Sequence, residues 1–306
     1  MRVCSLLPSA TEIIAELGLI DSLVGVSEEC RWPPEVVGKP VVTAARIDPS
    51  SLSSLEIDLT VRASLADGRS LYAVDAELIA ELDPDLIVTQ DLCAVCAVSS
   101  AELSDACPVG AEVLSLDPRT IGEVAASVRR LAARLGVAAE GDRIADRMAR
   151  TIEETAAAVQ GLVPRRVFFA EWLDPPFCAG HWLPEMIALA GGRDVIGTEG
   201  IPSRSVTWEE VLALGPELVV LGPCGFGAEE AAERAVGLEL PCPAVVVDGD
   251  SYFSRPASRL ADGVRQLAHL FHPDVVSDPG LPTIWLDPAR PVVPSSRSRS
   301  LPTSFR

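Results

Sequence analysis

Lysine is nearly missing from this chain: of 25 basic residues in 306, only Lys39 is a lysine and the rest are arginines. Against 44 acidic residues they leave a net charge of −19. That balance excludes a sequence-independent grip on nucleic acid, which needs clustered cations. No apolar run approaches the roughly twenty residues of a membrane helix. The opening MRVCSLLPSATE has neither a long apolar h-region nor a small-residue cleavage site. As written, the chain is expected to be cytoplasmic with no membrane span; removal of a signal would make it periplasmic or extracellular.

Catalytic signatures are missing too. There is no G-x-S-x-G, no Walker loop, no G-x-G-x-x-G after a strand and no H-E-x-x-H. A non-catalytic protein is expected. Eight cysteines over this length do not form the framework of a small secreted domain. Cys93 and Cys96 form a C-x-x-C, which in a reducing compartment suggests metal or redox chemistry.

What the chain does have is an internal repeat. ELIAELDPDLIV (77–88) recurs 132 positions later as EEVLALGPELVV (209–220). In each copy an acid, Glu77 or Glu209, opens a short helix that Pro84 or Pro216 stops before a buried strand. A second echo pairs TEIIAELGLIDSLVGV (11–26) with PEMIALAGGRDVIGT (184–198), each a helix closed by glycine, Gly18 or Gly191–Gly192. Strand signals RVCSLL, SLVGV, LTVRA, DLIVTQ and EVLSL alternate with helical patterns, which indicates βαβ units. The expected fold is α/β, with two Rossmann-like lobes of mostly parallel strands and a ligand cleft between them. The lobes are assigned to 1–118 and 162–275, joined by a helical region, 119–161. Within it, AEGDRIADRMARTIEETAAAVQ puts Ile144, Met148, Ile152 and Val159 on one face, in a rigid strut of about 33 Å. Residues 276–306 read as a disordered tail apart from docking of Ile284 and Trp285.

Ligands of open parallel sheets bind beyond the carboxyl ends of the strands. The loops there hold PSATE, with Pro8, Ser9 and a capping Ser9 or Thr11; SEECRWPP, with Glu29, Cys30 and Trp32; and DLCAVC. The second lobe contributes EWLDPPFCAGHW, with Glu171, Trp172, His181 and Trp182; GPCGFG, with Cys224 and Phe226; and DGDSYFSRPASR, with Tyr252, Phe253, Arg255 and Arg259. Thiols, a histidine, carboxylates and aromatics thus converge on one cleft. A soft metal or metal-cluster set of Cys30, Cys93, Cys96, Cys224 and His181 is one reading of that convergence. An enzyme using a cleft cysteine or Glu171 is another. His269 and His272, at a helix end, are expected to bond carbonyls, and Glu77 and Glu209 can simply favour their helix N-termini.

RVCSLLPSATEIIAELGL, the paired E-x6-P-[DE] segments, AGHWLPEMIALAGG and VVDGDSYFSRPASRLADGV resemble the substrate-binding proteins of ABC transporters for vitamin B12 and ferric siderophores, the helical-backbone metal receptors. The resemblance covers about residues 1–273. It implies two α/β lobes on one long helix, and a cobalamin-like corrinoid or other metal-chelate ligand held without chemistry. The implied ligand residues are Tyr252, Phe253, Arg255 and Arg259. Trp32, Trp172 and Trp182 would provide walls and His181 an axial contact. It also implies that Glu77 and Glu209 dock onto an ABC permease if the chain is exported. The chain departs from the family where tryptophans line the corrin site, since Ser203 and Ala44 or Arg46 stand there.

Overall fold

Short, continuously apolar strands need cover on both faces, and this requirement organises the molecule. The computed structural model describes residues 1–92, 98, 103, 110–238, 240 and 242–286; Cys93, Cys96 and the stretch 287–306 lie outside them. The first lobe holds β1 (Val3–Ser5), α1 (Pro8–Glu16), β2 (Leu23–Val26), β3 (Thr43–Ala45), α2 (Ser54–Ala66), β4 (Tyr72–Val74), α3 (Ala76–Leu82), β5 (Leu86–Thr89) and β6 (Glu112–Ser115). Its main sheet has the order β2-β1-β5-β6, parallel throughout, while β3 and β4 form a separate antiparallel pair. Residues alternate across that sheet. Val3, Leu86 and Val88 face α1, and Cys4 and Ile87 face α3.

Two helices connect the lobes, α4 (Ile121–Arg134) and α5 (Ala138–Ala158). The expected long helix is α5, 21 residues or about 31 Å. It is not alone: it folds back on α4 as a hairpin. The helices approach closely where Gly141 passes Ala132, since a Cβ on Gly141 would come within 2.3 Å of the Ala132 Cβ. One end of the hairpin, with Val128, Leu131, Ala132, Ile144 and Ala145, belongs to the first lobe's core. The other, with Ile121, Val124, Met148, Ile152 and Val159, belongs to the second lobe's core.

The second lobe follows with β7 (Arg165–Leu173), β8 (Pro176–Cys178), α6 (Leu183–Leu189), β9 (Gly192–Asp194), α7 (Trp208–Ala213), β10 (Leu218–Leu221), α8 (Ala228–Arg234), β11 (Ala244–Val247), α9 (Gly249–Tyr252), α10 (Leu260–Phe271) and β12 (Thr283–Leu286). Strands β9-β7-β10-β11 are parallel and repeat the order β2-β1-β5-β6. The sequence echoes thus correspond to equivalent places in two sheets. β8 and β12 add antiparallel pairings to β7 and β11. The segment around Ile284 and Trp285, assigned to the tail, is therefore an edge strand of the sheet.

Two local expectations are corrected. LTVRA is not a strand but the middle of α2, which a capping box starts: the Ser53 side chain accepts from the Glu56 N–H, and Glu56 returns the bond to the Ser53 N–H. Helix α1 is not capped by Ser9 or Thr11. Its N-cap is Leu7, with Pro8 at the first helical position. Helix α2 lies within 1–118 but packs on the second lobe, where Ile57 joins Phe168, Val211, Leu221 and Phe226. The glycines that close the two echoed helices fit, since Gly18 and Gly191 adopt φ of 74° and 79°. His269 and His272 bond the carbonyls of Val276 and Gly191 at 2.8 and 3.0 Å.

Candidate functional site

The connection from each strand to its helix lies at the strand's carboxyl end, so the loops after β1, β2, β7, β10 and β11 converge where the lobes meet. At the centre of that meeting is a carboxylate that the sequence reading left out. Glu12, on the second turn of α1, is 6% exposed. Its Oε1 accepts from Arg255 Nη1 at 3.2 Å and Arg259 Nη2 at 2.6 Å, and its Oε2 accepts from Arg259 Nε at 3.0 Å. Arg255, 6% exposed, also donates to Asp250 at 3.1 and 2.6 Å and to the Glu29 carbonyl at 3.3 Å. Two arginines of the second lobe are thus tied to one acid and one backbone carbonyl of the first.

Arg259 continues outward from this cluster. Its guanidinium carbon lies 5.1 Å from the Trp32 ring centroid and 5.3 Å from that of Tyr252, within cation–π range of both rings. Trp32 is 46% exposed, so an aromatic face remains open. Beside it lies a groove of about 600 Å³ between α1 and the start of α10, lined by Glu12, Glu16, Trp32, Pro33, Glu35, Arg147, Met148, Arg259 and Asp262, among others. Glu16 is already engaged by Arg147 and by the Ser258 hydroxyl, both at 2.5 Å. Burial pushes the Asp262 carboxyl up, with Arg265 and Arg259 opposing.

On the other flank the first lobe closes over the second. Trp172 Nε1 donates to the Ser54 carbonyl at 3.1 Å. Arg234 donates to the carbonyls of Leu52 and Pro49, both at 3.0 Å, while its guanidinium lies 4.1 Å from the Phe226 centroid. Trp172 packs against Phe226 with centroids 5.6 Å apart.

The predicted site residues therefore separate. Trp32, Tyr252, Arg255, Arg259 and Glu29 come together with Glu12. Pro8 and Ser9 begin the helix that presents Glu12, and Ser9 is buried. Trp172 and Phe226 belong to the sealed flank. Phe253 is wholly buried against Phe169. Trp182 is 6% exposed, with its Nε1 donating to the Phe253 carbonyl at 2.8 Å.

Of the expected metal set, Cys93 and Cys96 lie outside the described residues. Among the described residues no three His, Cys, Asp or Glu side chains are grouped to hold a metal ion. Burial pushes the Cys30 thiol up to about 11 even though Thr11 Oγ1 donates to it at 3.0 Å, so it is a neutral thiol at pH 7. His181 does not line the groove. Its backbone has φ 51° and its Nε2 is buried, with no hydrogen-bond partner among the described residues. Burial, then nearby Arg119, holds its pKa below the usual imidazole value. Cys224 lies on the sealed side, its N–H on the Glu171 carbonyl at 2.9 Å. Glu77 and Glu209 are exposed in the first turns of α3 and α7, matched positions before β5 and β10.

Behind this surface Asp194 has a buried Oδ2 without a partner among the described residues, while Oδ1 accepts from Ile196 and Gly197 N–H. Burial, opposed by those two bonds, raises its pKa to about 6 from 3.8. The folded state then holds this proton more tightly than the unfolded chain. Its contribution is therefore lost as pH rises from 3.8 to about 6. Asp194→Asn should flatten that slope, gaining up to about 2 kcal/mol over wild type between pH 4 and 7. Urea midpoints measured across that range check it; parallel curves for the two proteins would refute it.

The chain and its fold are similar to known proteins. The periplasmic binding protein family model matches residues 3–239. The vitamin B12-binding protein of Vibrio cholerae is 24% identical over 276 residues, covering 87% of both chains. That of Salmonella typhimurium is 25% identical over 271 residues, covering 88% of this chain and 89% of its own. Among solved structures, the periplasmic vitamin B12-binding protein of Vibrio cholerae superposes with a TM-score of 0.63 at 21% identity, over 88% of this chain and 96% of that one. A periplasmic heme-binding protein of Roseiflexus gives 0.65 at 20%, over 90% and 98%. The expected cytoplasmic location finds no support in these periplasmic relatives. No helix among the described residues is long and apolar enough to cross a membrane. With more than half its length matched, the chain belongs to the periplasmic binding protein family.

Proposed function

We infer that this protein binds a cobalamin-like corrinoid, without chemical change, against the exposed face of Trp32 in the inter-lobe groove. The observation that carries the reading is the Trp32–Arg259–Tyr252 stack beside that groove. A flat conjugated macrocycle can lie on such a surface through ring and guanidinium faces. The groove's carboxylates, Glu35 and Asp262 among them, suit the amide N–H groups of corrin side chains. They oppose a dianionic porphyrin by like charge. Binding proteins for vitamin B12 among the relatives support the same choice. On this reading the protein works outside the cytoplasm and hands its ligand to an ABC permease, with Glu77 and Glu209 as the docking acids.

Titrating the purified protein with hydroxocobalamin should give saturable calorimetric heats and a shift in the visible spectrum. Trp32→Ala should weaken that binding by about tenfold. A titration with no uptake of cobalamin or cobinamide would end the proposal. Tighter uptake of haem than of any corrinoid would transfer it to the other ligand class of the relatives.

A further inference from the structure

We propose that Glu12 is the positioning residue of the ligand surface: it fixes Arg259 between Trp32 and Tyr252 and so makes the site exist only while the two lobes are joined. The inference rests on the reading of that surface as the ligand site. It adds a residue and a dependence that the reading does not contain.

The geometry points to this role in three ways. First, Glu12 grips Arg259 through both carboxylate oxygens, with Nε at 3.0 Å and Nη2 at 2.6 Å. A two-point grip fixes the plane of a guanidinium as well as its place. Orientation matters for a guanidinium that lies over two rings, and a lysine ammonium has no plane to orient. Second, the surface is divided between lobes. Trp32 follows β2 of the first lobe, whereas Tyr252 and Arg259 follow β11 of the second. Neither lobe owns a complete stack. Third, Glu12 is itself fixed. It is 6% exposed on a helix whose neighbouring side chains, Ile13 and Ile14, are core, and it shares Oε1 with Arg255. Arg255 in turn is anchored to Asp250 and reaches the carbonyl next in chain to Cys30. Moving Glu12 or either arginine breaks at least one charged hydrogen bond.

A purely structural role would make Glu12 one ion pair among others, affecting stability and nothing else. The two roles separate by experiment. Affinity for dicyanocobinamide is measured by calorimetry in wild type, Glu12→Gln, Arg259→Gln and the double variant. Hydrogen–deuterium exchange is measured on the same proteins without ligand. The positioning role predicts that each single variant loses about tenfold in affinity. The double should lose no more than the larger single loss, because both remove one oriented plane. It also predicts faster exchange in Glu12→Gln confined to residues 27–32 and 250–259, with β5 and β10 protected as in wild type. Additive losses, unchanged affinity in Glu12→Gln, or a rise in exchange spread evenly over both lobes would overturn it. If Glu12→Gln does not fold, Arg259→Lys keeps a cation for Glu12 while removing the plane. It should then lose the same tenfold in affinity, and a wild-type affinity there would count against the proposal. If wild type takes up no corrinoid, the ligand reading falls, and the exchange pattern alone decides whether Glu12 organises these two loops.

Discussion

Replacing Arg255 by alanine is expected to cost about 3–5 kcal/mol of stability, among the largest single losses available to this chain. The reason is not the number of bonds that Arg255 makes. Its side chain is 7% exposed and faces Glu12 at 5% and Asp250 at 25%. Removing the cation leaves Asp250 without either of its arginine bonds and Glu12 with Arg259 alone. A half-buried carboxylate stripped of its counter-ion pays a desolvation cost that water only partly returns. Arg255→Lys should fall between wild type and alanine, because one ammonium cannot reproduce the fork that spans Asp250, Glu12 and the Glu29 carbonyl. Asp250→Ala made together with Arg255→Ala should cost less than the sum of the two. Guanidinium denaturation of wild type, the three single variants and the double variant checks this. A loss below about 1 kcal/mol in Arg255→Ala, in the range of exposed ion pairs, would show the cluster to be effectively solvated.

A second loss of comparable size is expected from one added methyl group. A Cβ on Gly249 would stand 2.5 Å from both the carbonyl carbon and the oxygen of Gly222 and 2.6 Å from the Pro223 oxygen. These are backbone atoms that cannot rotate aside, and Gly222 itself is pressed by Phe169, whose Cζ lies 2.5 Å from where its own Cβ would be. The loop after β10 and the start of α9 must therefore separate. Overpacking typically costs about 1–3 kcal/mol, and backbone atoms that cannot yield put this site at the upper end. Gly249 also begins the segment that carries Asp250, Tyr252, Arg255 and Arg259, so the displacement passes directly to the stack. Gly249→Ala should lower the melting temperature by several degrees and weaken corrinoid uptake in the same protein. An unchanged melting curve would mean that the two loops are not held in contact.

The repeat was legible because its information is local: continuous apolar strands, a proline after each helix and an acid at each helix start all lie within a dozen residues. The matching strand orders in the two sheets follow from that pattern. In α2 the β-branched Thr60 and Val61 suggest a strand, whereas the capping box at Ser53 and Glu56 starts a helix. Other parts of the site could not be read locally at all. Glu12 finds its partners 243 and 247 positions away, and no spacing along the chain marks such a pair. Trp182 and Phe253 stand in loop-like sequence contexts that fit a cleft as well as a core. Only the fold shows that one donates inward to the other's carbonyl.

The helical hairpin has a consequence for how the molecule comes apart. Met148 and Ile152 complete one core, while Ile144 and Ala145, within the preceding two turns of the same helix, complete the other. A helix cannot melt at one end without fraying the next turn, so loss of either core propagates into its neighbour. Two lobes with separate sheets are thereby coupled in their unfolding, and a single transition in denaturant is expected. The duplicated halves share one thermodynamic fate.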